Sequence, residues 1–259
     1  MLTLYDDVFS PYARKVRIAL YEKDVPFERV RALHGDCNRT DFVHVNPRAE
    51  VPALVDGDVA LYDSTVICEY LEDRYPEPRI YPRDPARRAA CRLLEDLADT
   101  QIDAALYAVT VLEYGRREAA PEMHGVAARD LGRLYDELEG RLGGQRFFCG
   151  EFSLADIALA PHLTAATFLG FPVDAARHVA LARWLERVQE RPSVARDGAD
   201  VMETLQRLQS DNQPGFDPFR VQWRSDRLEW VVKNGFATWL LEEMRAGRAF
   251  FPLATSRPG

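Results

Sequence analysis

Glu50-Val51-Pro52-Ala53-Leu54, followed by Asp63-Ser64, is the stretch that decides the fold. Pro52 lies between the irregular run from His44 to Glu50 and a short apolar strand from Ala53 to Val55. Proline cannot donate to a sheet ladder, so it belongs at the mouth of that strand. A cis bond before it would turn Val51 outward and leave its N–H and C=O free for an extended ligand. Asp63-Ser64 opens an apolar helical run from Val66 to Leu71. The start of a helix carries unpaired N–H groups and partial positive charge, which suits a carboxylate. Ser64 adds a hydroxyl, and Asp63 can take an ammonium. One end therefore fits an α-amino acid head group and the other a peptide backbone. The same residues also read as a plain turn and a plain N-cap, and at this level both readings stand.

With 47% apolar and 29% charged residues, the chain has ordinary globular composition, and 259 residues fit one large domain or two small ones. A net charge of −8 and no basic block argue against a general nucleic-acid binder. No apolar run reaches the roughly 18 residues of a membrane span. Met1 leads straight into strand-like Leu2-Thr3-Leu4-Tyr5, so no signal peptide and a cytoplasmic location are expected. Cys37, Cys68, Cys91 and Cys149 form no C-x-x-C pair and match no zinc spacing. They read as reduced thiols, three in apolar context and Cys37 in a polar loop. The histidines make no ligand pair at helical spacing, so no metal is expected.

Residues 2–5 read as a strand, 12–23 as a helix with Ala13, Val16, Ala19 and Leu20 on one face, and 27–33 as a second strand. One helical turn is predicted around 40–45. Segments 53–56 and 59–62 flank the turn dipeptide Gly57-Asp58, and a helix follows over 64–75. Prolines 76, 78, 82 and 85 mark a linker. Beyond it the period is helical throughout, over 86–117, 122–142, 157–168 and 178–190. Ser153 with Asp156 is close to a capping box for the third of these. Residues 211–220 are turn-rich. Residues 226–247 then read as one helix, with Leu228, Val232, Phe236, Leu240 and Met244 at intervals of four. The pattern predicts an α/β domain at 1–78, an all-α domain at 86–205, and a C-terminal extension at 206–259 whose helix packs on the helical domain or on a partner subunit.

Four segments, in this order, resemble the soluble glutathione transferases over roughly residues 1–195. Phe9-Ser10-Pro11-Tyr12 through Leu20 resembles their first loop and helix. Asn46-Pro47-Arg48-Ala49-Glu50-Val51-Pro52-Ala53-Leu54 resembles their Asn-Pro-x-Gly-x-Val-Pro-x-Leu signature. Asp63-Ser64 with Ile67 and Tyr70-Leu71 resembles their acid-serine pair and the helix after it. In the helical part, Gly150, Ser153, Ala155-Asp156-Ile157 and Pro161 are similar to their capping-box segment.

The resemblance implies a thioredoxin-like domain followed by a helical one, paired as a homodimer, with glutathione as cosubstrate and a hydrophobic electrophile as second substrate. Val51 and Pro52 would meet the cysteinyl backbone, and Asp63 and Ser64 would hold the γ-glutamyl head. Ser10 falls at the serine-type hydroxyl that stabilises the thiolate for attack on an electrophilic carbon, with Tyr5 as the other candidate. Ser10 also reads as the N-cap of the helix after Pro11. A non-catalytic relative serving as a dimerisation module, or a glutathione-dependent isomerase or dehalogenase, is compatible with the same residues. Asn38 stands where members often place a cation for the glycyl carboxylate, with Arg39 beside it as a replacement. Ala49 replaces the usual glycine of the signature. For the second substrate, helix phase points to Tyr12, Tyr107, Val111 and Tyr114. The extension, including Phe250 and Phe251, is expected to narrow that pocket.

Overall fold

The computed structural model describes residues 1–32, 39–114, 121–211 and 221–250. Strand β1 (Leu2–Asp6) is flanked by β2 (Phe27–Arg31) and β3 (Ala53–Asp56), and β4 (Val59–Tyr62) completes the sheet in the order β2-β1-β3-β4. β1 runs parallel to β2 and antiparallel to β3, and β3 forms a hairpin with β4. Gly57 closes that hairpin at a left-handed φ of 58°. The parallel β1–β2 pair needs a crossover, which helix α1 (Pro11–Glu22) supplies.

Side chains alternate across β1. Leu4 belongs to the main core shared with α1 and helix α3 (Ser64–Arg74), while Tyr5 stacks on Phe42 of helix α2 (Arg39–Val45) on the other face. This is the thioredoxin-like arrangement expected from the sequence.

The run from 85 to 114 is not one uniform helix. Helix α4 (Pro85–Asp96) passes through a π-helical segment (Leu97–Ile102) into helix α5 (Asp103–Tyr114). A π-helical turn shifts the backbone register and is common at functional positions. Here the carbonyl of Asp99 accepts a hydrogen bond from the Tyr12 hydroxyl at 2.7 Å. Helices α6 (Pro121–Leu142), α7 (Leu154–Phe168), α8 (Val179–Gln189) and α9 (Pro192–Ser210) follow. Asp156 ties the start of α7 to the loop before it and to α8. Its carboxylate accepts from the backbone and hydroxyl of Ser153, from the Phe148 N–H, and from Trp184 Nε1 at 2.8 Å.

Helix α9 escapes the sequence pattern because much of what it buries is polar. Ser193 and Asp197 face inward, and Asp197 takes Arg14 and Arg17 of α1. An apolar stripe is the signal that hydrophobic periodicity detects, and an ion pair leaves none. The α1 helix is accordingly buried on all sides. Lys15 binds Glu95 and Asp99 of the helical part, and Lys23 binds Glu72.

Residues 226–247 form two helices and not the single one expected. Helix α10 (Ser225–Lys233) stops at Asn234, Gly235 turns the chain at φ 88°, and helix α11 (Ala237–Arg245) begins after Phe236. Glycine occupies that left-handed region at no steric cost, which the period of four could not reveal. Strand β5 (Val221–Gln222) pairs parallel with β6 (Ala249–Phe250), so that α10 and α11 lie between two paired segments. The extension docks on its own helical part. Trp230 Nε1 donates to Asp130 of α6 at 3.0 Å, and α10 lies along α5.

Candidate functional site at one end of the sheet

The pairing register fixes where the predicted site residues fall. Tyr5 lies opposite Ala53, and Ala53 lies opposite Tyr62. β1 and β3 are antiparallel, as are β3 and β4. The chain that leaves β1, the chain that enters β3 and the chain that leaves β4 therefore emerge at the same end of the sheet. These three exits carry Ser10, Val51-Pro52 and Asp63-Ser64.

Ser10 caps α1. Its backbone is extended (φ −64°, ψ 117°), Pro11 takes the first helical position, and its Oγ accepts from the Ala13 N–H at 3.3 Å. A hydroxyl has one proton to donate besides the lone pairs that accept. The cap bond orients Oγ and leaves that proton available. The loop before it is held by Arg17, whose place inside an ordinary helical run carries no sequence signal for this role. Arg17 Nη1 donates to the Asp7 carbonyl at 3.2 Å and Nη2 to the Val8 carbonyl at 3.1 Å. The same guanidinium binds Asp6 and Asp197, whose carboxylates outweigh the burial that would lower its pKa and raise it above the usual value. The alternative hydroxyl, on Tyr5, belongs to a ring stacked 5.7 Å from Phe42 on the α2 face.

The Val51–Pro52 bond is cis. Asn46, almost fully buried, builds the loop ahead of it. Its Nδ2 donates to the Glu50 carbonyl at 2.6 Å, and its Oδ1 accepts from the Arg48 N–H at 2.9 Å. Ala49, in the place of the usual glycine, has a left-handed φ of 53°. A Cβ in that region costs roughly 1–2 kcal/mol.

Asp63 has an unusual backbone too, at φ 79°, and caps α3. Oδ1 accepts from the N–H groups of Thr65 at 3.0 Å and Val66 at 3.3 Å. Oδ2 stands 4.0 Å from Arg48 Nη1, and about a third of the side chain is exposed. Ser64 beside it is buried. Arg48, half exposed, lies over the Tyr62 ring at 5.3 Å and places a cation at this corner. Arg39 opens α2, but its side chain, like all of Asn38, lies outside the described residues.

The four second-substrate positions divide into two pairs. Tyr12 is buried, with its hydroxyl bonded to Asp99, its ring edge-on to His162 at 6.0 Å, and Arg224 over its face at 4.9 Å. Burial, reinforced by the charge of Asp103, holds its pKa well above the usual value. Tyr107 is half-buried, with Trp223 edge-on at 5.6 Å and Arg227 over it at 3.4 Å. The side chains of Val111 and Tyr114, on α5, and of Phe250 lie outside the described residues, as does Phe251. Among the described residues, the extension thus contributes Arg224 over Tyr12 and Trp223 with Arg227 against Tyr107.

The chain matches the family model of the glutathione S-transferase N-terminal domain over residues 4–79 and that of the C-terminal domain over residues 117–187. Glutathione S-transferase Z2 of Arabidopsis thaliana is 34% identical, over 74% of this chain and 88% of the relative. A stringent starvation protein A homolog of Coxiella burnetii is 30% identical, over 74% of this chain and 89% of its own length. Among solved structures, a glutathione S-transferase from Rhodospirillum rubrum F11 superposes with a TM-score of 0.66 at 30% identity, covering 75% of this chain and 90% of that one. On sequence, fold and the order of its motifs, the chain belongs to the soluble glutathione transferase family.

Proposed function

We propose that the protein is a serine-type glutathione transferase whose glutathione lies across the end of the sheet marked by Ser10, Val51 and Asp63. The carrying observation is the alignment of Tyr5, Ala53 and Tyr62, from which those residues lead out at one end. In this reading residues 1–78 are the glutathione-binding domain, 86–205 the helical domain and 206–259 an extension. Asp63 Oδ2 takes the γ-glutamyl ammonium. Ser64, the start of α3 and Arg48 take the carboxylate next to it. Val51 pairs its backbone with the cysteinyl unit. Asn38 and Arg39 hold the glycyl end.

Ser10 then donates its hydroxyl proton to the sulfur. A thiol of about 8.5 in water ionises more readily when the thiolate alone gains a hydrogen bond. The thiol proton leaves to solvent, and the sulfur lone pair forms a bond to an electrophilic carbon. That carbon releases a leaving group or accepts the electrons into a neighbouring atom. Tyr12, Tyr107, Val111 and Tyr114 border the electrophile, narrowed by the extension. The protein works as a cytoplasmic homodimer. Val66 and Leu93, both exposed, flank the Glu69 bridges to Arg88 and Arg92 that join α3 to α4, and they supply an apolar face for the contact.

Calorimetric titration with glutathione, followed by a conjugation assay with a general electrophile, tests this. Micromolar to millimolar binding and turnover are expected, and a folded protein that takes up no heat refutes the reading. A second reading, a glutathione-transferase-like interaction protein without turnover, is favoured by the covered state of Tyr12 and Tyr107. Binding without conjugation would select it.

A further inference from the structure

The start of the extension does more than cover two tyrosines. Arg224 is the extended N-cap of α10 and Arg227 lies in its first turn, and each guanidinium lies over a tyrosine ring. Arg227 lies over Tyr107 of α5, and Arg224 lies over Tyr12 of α1. The two cations thus bridge the helix that follows Ser10 and a helix of the all-α part.

Their electrostatic situations differ. Arg227 is buried and committed, with Nε 2.7 Å from Asp103 Oδ2 and Nη2 3.2 Å from Oδ1. Trp223, fully buried against Tyr107 and Trp239, fixes the chain just before it. Arg224 is held in place by the Tyr12 ring, with its donors uncommitted. Its side chain is 32% exposed, and its nearest carboxylate oxygen, Oδ2 of Asp226, is 3.9 Å away, beyond hydrogen-bond reach. Among the described residues its N–H donors meet no acceptor. Its other acidic neighbours are Asp103, which Arg227 occupies, and Glu50, the residue before Val51; Tyr12 and the field of these acids hold the guanidinium charged despite burial. Arginine offers a planar fork of donors matched to a carboxylate, and a stacked ring face keeps that fork oriented.

We propose that Arg224 is a specificity-determining residue of the electrophile site, and that it selects electrophiles carrying a carboxylate. This rests on the transferase reading, because Tyr12 and Glu50 flank the two positions, Ser10 and Val51, that bracket the glutathione sulfur. A group attached to that sulfur and directed toward the helical part meets Arg224. Neutral aromatic electrophiles gain nothing there, whereas a carboxylate gains a charge-assisted pair in a half-desolvated setting.

Two glutathione conjugates of matched length test this, S-hexylglutathione and S-(5-carboxypentyl)glutathione, titrated against the full chain and against Arg224→Gln and Arg224→Lys. The wild type should bind the carboxylated conjugate about 10- to 100-fold more tightly than the hexyl one, the range of one charge-assisted contact. Arg224→Gln should abolish the preference, Arg224→Lys should keep part of it, and all three proteins should bind glutathione itself alike and melt within a few degrees of one another. Equal affinity of the wild type for both conjugates overturns the proposal and leaves the transferase reading standing. A parallel loss of both conjugates and of glutathione in Arg224→Gln also overturns it, making the residue a latch between domains. Failure of the wild type to bind glutathione or either conjugate overturns the transferase reading, and the proposal with it.

Discussion

Arg17 Nε donates to Asp197 Oδ1 at 2.8 Å, linking the first helix of the thioredoxin-like part to α9, 180 residues further along the chain. The same guanidinium holds the carbonyls of Asp7 and Val8, just ahead of Ser10. Domain packing and placement of the candidate hydroxyl therefore share one side chain. Arg17→Met leaves Asp197 and Asp6 with fewer partners in a buried setting. A loss of about 3–5 kcal/mol is expected, as for removing one member of a buried ion pair, read by urea unfolding. In the fraction that remains folded, the pKa of bound glutathione should rise, because the Ser10 loop is no longer held.

Ser10→Ala separates the hydroxyl from the fold. Loss of the bond from the Ala13 N–H should cost about 1 kcal/mol, a typical N-cap value. The catalytic readout should move further. The apparent pKa of bound glutathione, followed by thiolate absorbance, should rise and kcat/KM should fall, with the glutathione Kd nearly unchanged. If rate and thiol pKa both stay at wild-type values, the role passes to Tyr5 or to the backbone.

Asp63→Asn distinguishes charge from cap. Asparagine caps helices as well as aspartate does and, like aspartate, is enriched at positive φ, as found here at 79°. Thermal stability should stay close to wild type, while glutathione affinity drops by about 10- to 100-fold as the ammonium loses its anionic partner. Wild-type affinity in this variant would place the head group elsewhere.

Ala49→Gly should stabilise the protein. At φ 53° the alanine Cβ is strained, and the gain on removing it, near 1 kcal/mol after the added freedom of the unfolded chain, corresponds to a Tm rise of about 2–4 °C. A lower Tm would mean that contacts of the buried methyl group outweigh the strain.

His162 provides a pH readout. It is buried against Tyr12, its Nδ1 bonds the Ala158 carbonyl at 2.9 Å, and burial pushes its pKa below the usual value despite the nearby charge of Asp103. A base whose folded pKa is depressed contributes stability that is complete above its unfolded pKa of about 6.5 and is lost as pH falls through that value toward the folded one. Stability measured from pH 7.5 down to pH 5.5 should decline more steeply for wild type than for His162→Phe. Parallel curves would show that His162 does not titrate between the two states.

The sheet, its hairpin, the crossover helix and the order of the motifs are legible in the chain's local patterns. Each rests on local chemistry: a proline at a strand mouth, Gly57 in a turn, Ser10 and Asp63 at helix starts, apolar residues at a fixed period. The caps at Ser10 and Asp63 and the turn before Pro52 are legible because such positions have residue signatures, and they mark the candidate site. Other features were decided only in three dimensions. Helix α9 is held by Asp197 against Arg14 and Arg17, an attraction between charges distant in sequence that leaves no periodic trace. The break at Gly235 looks, in sequence, like a tolerable helical glycine until Phe236 turns back onto Trp230. The stacking of Arg224 and Arg227 on Tyr12 and Tyr107 depends on how the extension folds back across the helical part, because a cation and a ring attract only where packing brings them face to face and excludes water.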